Sequence, residues 1–296
     1  MFAFGVAITE PDQYESFARP GIERAQEDDS VILSHSSMGS LCRNYNLLLE
    51  EARKIEGIEA LVLLHQDTEI YSEDFCSVIR GTLADPEVAI VGCAGSIGVR
   101  SIAWWEGAVT WASFIHRYPE FGGGDLVATT WDPDDRPAYA KTGEVDSVDG
   151  FIMALSPWAI DNLEFDETLG NLHGYDFDAC CQVREAGKKV VTADFRAIHH
   201  HSLTLVSDPD SWIEANIKLI EKWEGRVPRV GQGSTDWKAR ARRAEAESAA
   251  VRAIARKNEL ERDAVKEMMK NSASFRLTKP LRSFKAWLDS LRSRRG

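Results

Sequence analysis

The stretch Leu61-Val62-Leu63-Leu64-His65-Gln66-Asp67 decides the fold of this chain. Four apolar residues in a row, flanked by polar sequence, predict a buried central strand of a parallel or mixed sheet. In open α/β sheets ligands bind at the carboxyl ends of strands, which is where Asp67 stands. Its carboxylate suits a hard divalent cation that bridges to the phosphate oxygens of a ligand. A polar loop that only ends the strand is the alternative, and this motif alone leaves both open.

The sequence around this strand alternates between strand-like and helix-like segments. Strands are predicted at 2–8, 31–33, 60–64 and 88–91, and helices at 13–26, 41–55 and 73–83. This βαβαβαβ order predicts a parallel sheet with helices on its faces. Further along we expect an aromatic loop or β excursion at 102–131, strands at 145–155 and 189–192, and helices at 176–185 and 210–223.

The overall composition is that of an ordinary globular protein. The 296 residues are 44% hydrophobic and 28% charged. The five cysteines are odd in number and lack metal-type spacing, so we expect reduced core residues of a cytoplasmic protein. The sequence predicts neither a signal-peptide core nor a membrane-spanning stretch.

The net charge is unevenly distributed along the chain, with an acidic body and a basic C-terminal tail. Residues 235–296 hold 17 Lys and Arg against 8 Asp and Glu, a net charge of +9, although the whole chain carries −12. The acidic remainder argues against nucleic acid as a partner, and an anionic substrate would need a cation or backbone N–H groups to bind there. We therefore predict a domain at 1–227, a Pro- and Gly-containing linker at 228–236 and a basic helical tail at 237–296.

The tail is predicted to end in a basic amphipathic helix over residues 280–295. Apolar residues recur there at i, i+3, i+7 and i+10, namely Leu281, Phe284, Leu288 and Leu291. Such a helix suits an anionic membrane surface. Docking on the acidic body or on a second subunit is the alternative, and we favour the membrane.

A second acidic cluster lies in Leu172-His173-Gly174-Tyr175-Asp176-Phe177-Asp178. Asp176 falls at the predicted start of a helix, where the helix dipole favours a carboxylate. Helix capping is the commoner role of such an Asp. The functional hypothesis is a general base that takes a proton from a substrate hydroxyl.

Three consecutive histidines, His199-His200-His201, follow the strand predicted at 189–192. Side chains alternate in an extended segment, so at most His199 and His201 share a face, opposite to His200. One of the three can be a metal ligand. A surface or packing role is the alternative for each of them.

Short motifs carry a family resemblance over residues 1–225. They are Phe2–Ile8, Ser37–Asn46, Leu63–Asp67, Val148–Gly150, Phe165–Glu167, Gly174–Asp178 and His200–Ser202. Their order resembles that of glycosyltransferase family 2-like proteins, in particular a bacterial subgroup whose metal motif reads His-Gln-Asp in place of Asp-x-Asp. The resemblance implies a GT-A fold, with a Rossmann-like mixed sheet flanked by helices, a nucleotide-diphospho-sugar donor and Mn²⁺ or Mg²⁺.

The resemblance also implies roles for the acidic and histidine residues. Asp67 would be the principal metal ligand, His65 would occupy the first position of the metal motif, and His200 would be the late metal ligand. Asp176 would be the base, with Tyr175 in place of the family's usual Glu.

Donor and acceptor residues follow from the same resemblance. Thr9, Glu10 and Asn46 would contact the donor, whereas Ser34-His35-Ser36-Ser37 stands where an Asp usually reads the uracil base, which leaves the donor base undetermined. Asp149 and Asp178 would lie on the acceptor side. The aromatic stretch containing Trp104 and Trp105 would stack on acceptor sugars, with a loop that buries its aromatics in a satellite core as an equal alternative.

The implied activity is that of an inverting hexosyltransferase. It would transfer a sugar to a hydroxyl of a glycan or lipid-linked acceptor in bacterial surface polysaccharide assembly, in the cytoplasm and at the inner membrane surface, as a monomer or a homo-oligomer. A non-catalytic nucleotide- or sugar-binding module with a docking tail is the alternative. A metal-dependent phosphohydrolase would need more clustered carboxylates than this sequence offers.

Overall fold

A computed structural model gives the fold of the chain. It describes residues 1–36, 39–99, 102–103, 109–112, 114–118, 125–127, 143–170, 172–200, 209–226 and 237–272. The chain divides into two compact units, Met1–Gly233 and Ser234–Gly296. The predicted linker at 228–236 and the predicted terminal helix at 280–295 lie outside the described residues.

The first unit contains strands and helices in alternation. The strands are β1 (Phe2–Ile8), β2 (Val31–Ser36), β3 (Ala60–His65), β4 (Thr68–Ile70), β5 (Val88–Gly92), β6 (Ala94–Ile97), β7 (Val109–Ala112), β8 (Phe114–Arg117), β9 (Asp125–Val127), β10 (Gly143–Val145), β11 (Ser147–Val148), β12 (Ile152–Leu155), β13 (Lys189–Thr192) and β14 (Ala197–His199). The helices are α1 (Pro11–Gln13), α2 (Arg19–Ala25), α3 (Leu41–Ala52), α4 (Phe75–Leu83), α5 (Pro157–Asn162), α6 (Tyr175–Glu185) and α7 (Pro209–Trp223). A π-helical turn, Tyr14–Ala18, joins α1 to α2.

The main sheet has seven strands in the order β10-β13-β5-β12-β3-β1-β2. Strand β1 pairs in parallel with both β2 and β3, and β13 pairs in parallel with β5. Strand β12 is antiparallel to β3 and β5, so the sheet is mixed. The carboxyl ends of β1, β2 and β3 meet at one edge, which is where ligands bind in such sheets.

The buried-strand prediction for residues 61–64 agrees with the structure. Side chains of β3 alternate between two cores, because helices cover both faces of the sheet. Val62 and Leu64 belong to the core beneath α2 and α4. Leu61 and Leu63 belong to the core beneath α3, α5 and α6. All four are fully buried, which explains the absence of polar residues in this run.

The predicted strand at 145–155 is wrong as a single element. The structure divides it among β10, β11 and β12, with a turn at Gly150 and Phe151. Asp146 is the physical reason for the first break, since its buried carboxylate bonds Arg184 at 2.7 Å and accepts from the Gly98 N–H at 2.6 Å. Strand β11 then pairs with β6 of a second, three-stranded sheet.

A third sheet has the strand order β4-β14-β8-β9, and its strand β4 begins directly after Asp67. Strand β14 pairs antiparallel to β4, with His199 opposite Thr68. This pairing brings the histidine segment to the end of β3. The sheet also confirms short β structure within the aromatic region, although Trp104 and Trp105 lie outside the described residues.

All five cysteines are buried. Burial raises the pKa of the Cys42 and Cys76 thiols to about 12.

The second unit contains one long helix, α8 (Trp237–Asn271). Within the described ranges, none of the helices has both the length and the apolar character needed to cross a bilayer.

Candidate functional site

The site begins where β3 ends beside β1. Their parallel register places Ala7 opposite His65, so the residues that follow each strand are neighbours. The N–H groups of Thr9 and Glu10 both donate to Gln66 Oε1 at 2.8 Å, and Gln66 Nε2 donates to Thr9 Oγ1 at 3.1 Å. Gln66 therefore fastens the predicted donor-contacting segment to the predicted metal loop. The sequence reasoning gave this residue no role, although its central position in the His-Gln-Asp motif was the available signal.

Three side chains form a candidate metal centre at this edge. His65, Asp67 and His199 each offer one donor atom, and these atoms lie within 4.8 Å of one another. His199 Nε2 lies 3.5 Å from Asp67 Oδ1, and His65 Nδ1 lies 3.9 Å from the same oxygen. His199 is buried and the other two side chains are half-buried. Two imidazoles and a carboxylate are a donor set that divalent transition ions accept.

The predicted late ligand, His200, lies on the other side of its strand. Its Nε2 is 3.0 Å from Glu69 Oε2, and its ring stacks on Phe17 with centroids 3.7 Å apart. Side-chain alternation turns His200 away from the face that His199 presents to Asp67. The structure therefore brings His199, and not His200, to the candidate metal centre. His201 lies outside the described residues.

His200 still contacts the Asp67 loop through its backbone. Its N–H donates to the Asp67 carbonyl oxygen at 2.8 Å. The Arg24 guanidinium donates to Glu69 Oε1 at 3.3 Å and to the Ile70 carbonyl oxygen at 2.7 Å. This chain of contacts ties α2 to β4 immediately behind the candidate metal centre.

Asp176 lies in the first turn of α6, as predicted. Its Oδ2 accepts from the Gly150 N–H at 2.9 Å and its Oδ1 accepts from its neighbour Phe177 N–H at 2.8 Å. Burial first, and the nearby Asp149 carboxylate second, raise the pKa of Asp176 to about 7. A carboxylate with such a pKa exchanges protons readily at neutral pH, which is the property of a general base.

Asp149 lies beside this carboxylate. Its Oδ1 accepts from the Phe151 N–H at 3.1 Å, and its own N–H donates to the Ala94 carbonyl at 2.8 Å. The structure thus brings Asp149 and Asp176 together at the Gly150 turn. It also connects this pair to the metal centre, because the Tyr175 hydroxyl oxygen lies 2.7 Å from His65 Nε2.

Two predicted site residues instead have contacts that hold the fold. The Asn46 side-chain amide forms two hydrogen bonds with the backbone of Phe165. Asn46 Oδ1 accepts from the Phe165 N–H at 2.8 Å, and Asn46 Nδ2 donates to the Phe165 carbonyl oxygen at 2.9 Å. Asp178 is buried, accepts from Trp223 Nε1 at 2.6 Å and pairs with Lys222 at 2.8 Å. On this ground we infer structural roles for both residues, in place of the predicted donor role of Asn46 and the predicted acceptor role of Asp178.

Comparisons with known proteins identify the family of this chain. The model of a family described as "Glycosyltransferase like family" matches residues 23–217, which is more than half of the chain. The streptomycin biosynthesis protein StrF of Streptomyces griseus is 28% identical over 211 residues, covering 68% of this chain and 67% of StrF.

Two solved structures are similar to this chain. The structure of GalNAc-T7 with UDP, GalNAc and Mn²⁺ has a TM-score of 0.52 at 8% identity, and the match covers 76% of this chain and 48% of that one. The mannosyltransferase PcManGT from Pyrobaculum calidifontis, in complex with GDP-Man and Mn²⁺, has a TM-score of 0.47 at 14% identity, with 77% and 65% covered.

The predicted GT-A fold is confirmed by the mixed sheet and by the likeness to GalNAc-T7. The resemblance to glycosyltransferases that the motifs carry is also confirmed, whereas the His-Gln-Asp subgroup stays a prediction. The family match spans the β3 strand, the Asp67 turn and Asp176. On this evidence the chain belongs to the glycosyltransferase like family.

Proposed function

We propose that this glycosyltransferase moves a hexose from a nucleotide-diphospho-sugar to a hydroxyl of a glycan or lipid-linked acceptor, with inversion at the anomeric carbon. The observation that carries the proposal is the link between two chemical groups at one sheet edge. A three-residue candidate metal centre and a carboxylate with a pKa of about 7 are connected through Tyr175. The Thr9–Glu10 segment adjoins the candidate metal centre through Gln66, which lies between His65 and Asp67 in the chain.

His65, Asp67 and His199 would hold the divalent cation. Imidazole nitrogens suit transition ions and carboxylate oxygen suits Mg²⁺ and Mn²⁺, so the donor set favours Mn²⁺. Once bound, such a cation stabilises the negative charge of a diphosphate leaving group as a Lewis acid. The GalNAc-T7 structure, which contains UDP and Mn²⁺, supports the same pairing of nucleotide and cation here.

Asp176 would act on the acceptor. Its carboxylate removes the proton from the acceptor hydroxyl as that oxygen attacks the anomeric carbon, and the bond from this carbon to the diphosphate oxygen breaks. The sugar is transferred, the nucleoside diphosphate leaves and the proton stays on Asp176. A single displacement of this kind inverts the anomeric configuration. The two N–H groups from Gly150 and Phe177 hold the carboxylate oxygens in place.

A donor screen tests the proposal. The full chain is incubated with UDP-, GDP- and dTDP-sugars and a mixture of glycan and lipid-linked acceptors, with Mn²⁺ or with EDTA. We expect Mn²⁺-dependent transfer from one donor class, abolished by EDTA and by Asp67→Ala. Release of free sugar in place of transfer would indicate a hydrolase. Nucleotide binding without turnover for every donor would indicate a binding module.

A further inference from the structure

Tyr175 and Asp67 contact opposite sides of the His65 imidazole. Nε2 lies 2.7 Å from the Tyr175 hydroxyl oxygen, and Nδ1 lies 3.9 Å from Asp67 Oδ1. The two ring nitrogens therefore face different neighbours. The nitrogen that faces Asp67 is Nδ1.

The Tyr175 hydroxyl is held rigidly. The side chain is buried, and its ring meets that of Tyr45 edge-to-face, with centroids 5.4 Å apart. A β-carbon on Gly150 would overlap the Tyr175 hydroxyl, so the absence of a side chain there leaves room for it. The hydroxyl thus has a fixed position from which it can orient an imidazole.

We propose that Tyr175 is a positioning residue that fixes the tautomer and orientation of His65 for metal binding. A ligating nitrogen must offer a lone pair, and Nδ1 is the nitrogen that faces the metal centre. The ring proton therefore lies on Nε2, and this N–H group donates to the Tyr175 hydroxyl oxygen. Hydrogen bonds of this kind to the second nitrogen orient ligating histidines and raise their basicity. The inference rests on the proposed function, since it needs His65 to be a ligand.

The position of Tyr175 in the chain adds a consequence. It is the first residue of α6 and Asp176 is the second. The same helix start that carries the proposed base therefore orients one of the proposed metal ligands. This also gives a physical role to the residue that stands in place of the family's usual Glu.

Metal affinity of the Tyr175→Phe variant tests the inference without relying on turnover. The variant keeps the buried ring and loses only the hydroxyl, and Tyr71→Phe is the matched control because that side chain is exposed. Titration of the full chain with Mn²⁺, followed by electron paramagnetic resonance, is expected to give a Kd roughly 10- to 100-fold weaker in Tyr175→Phe. The control should bind like the wild type. A Kd within twofold of the wild type in Tyr175→Phe would overturn the inference.

Nuclear magnetic resonance of the wild type provides a measurement that does not depend on a variant folding. With Zn²⁺ as a diamagnetic ion, ¹⁵N spectra of the histidines should place the His65 proton on Nε2, the signal being assigned by its loss in His65→Gln. A proton on Nδ1 would contradict the inference while leaving the metal centre standing. Failure of the wild type to bind Mn²⁺ or Zn²⁺ would instead remove the metal centre of the proposed function, and the inference with it.

Discussion

Asp176 and Asp178 are two residues apart on α6, yet their surroundings give them different roles. Asp178 is buried against Lys222 and Trp223 and so anchors α7 to α6. The Asp176 carboxylate instead accepts from the backbone N–H groups of Gly150 and Phe177, and burial together with the nearby Asp149 carboxylate raises its pKa. A buried carboxylate with a cationic partner is costly to unpair, whereas one kept near a like charge binds a proton more readily.

We expect Asp176→Asn to abolish transfer while leaving donor binding intact. The amide keeps the shape of the side chain but cannot take a proton, so turnover should fall by roughly 10²- to 10⁴-fold. Calorimetric titration with the nucleoside diphosphate and Mn²⁺ measures binding in parallel. Asp178→Asn is the matched control, which should lower thermal stability and leave the turnover of folded protein largely unchanged. Full transfer activity in Asp176→Asn would refute the assignment of the base.

The raised pKa of Asp176 predicts a pH dependence. Only the deprotonated carboxylate accepts a proton, so kcat/KM should rise with pH up to about 7 and level off above it. Asp149→Asn removes the neighbouring negative charge, which lowers the pKa of Asp176 and moves the rising limb to lower pH. Initial rates from pH 5 to 9 at saturating Mn²⁺ measure both profiles. If kcat/KM rose over the same pH range in the wild type and in Asp149→Asn, Asp149 would not raise the pKa of Asp176.

Among the secondary-structure elements, α2 packs closely against β4, and the backbones of the two elements are in direct contact. The contact occurs at Gly21, where a β-carbon would overlap the Ile70 nitrogen. Phe17 on His200 and Arg24 on Glu69 lie on either side of it in the helical segment. Because β4 follows Asp67 directly and pairs with the strand that carries His199, this packing supports two of the three proposed metal ligands.

Gly21→Ala should therefore weaken both the fold and the metal centre. The added methyl group forces α2 away from β4, at a cost of about 1–3 kcal/mol in the free energy of unfolding. Gly81→Ala is the control, because Gly81 lies in α4 with open space around it, and there alanine should stabilise by roughly 0.5–1 kcal/mol. Urea denaturation gives both values, and Mn²⁺ titration should show weaker binding in Gly21→Ala alone. Equal stability of Gly21→Ala and wild type would disprove the packing argument.

The elements were largely predictable and the choice of histidine was not. An apolar run followed by Asp67, and an acidic helix start at Asp176, are local patterns that a sequence displays. Which of the three histidines faces Asp67 depends on how β14 pairs with β4, and that pairing joins distant segments. The structural contacts of Asn46 could not be predicted for a similar reason, since its partner Phe165 is far away along the chain.

At the scale of the whole molecule, the acidic body and the basic tail call for separate tests. We propose that residues 280–295 contact an anionic membrane surface, on the basis of their charge and apolar periodicity. Flotation with vesicles containing anionic lipid should recover the full chain, and recovery should fall with added salt. A chain ending at Ser272 should stay unbound and still transfer sugar to a soluble acceptor. Equal flotation of both chains, or of neither, would contradict the proposal.

The burial of every cysteine has a practical consequence for studying these two units. Thiols with a pKa near 12 are almost entirely protonated at neutral pH, and maleimide or iodoacetamide reagents attack the thiolate. A single cysteine introduced at an exposed position of α8, such as Lys257, should therefore be labelled without first removing the native ones. A fluorescent dye attached in this way would report on the surroundings of α8 in an otherwise unaltered protein.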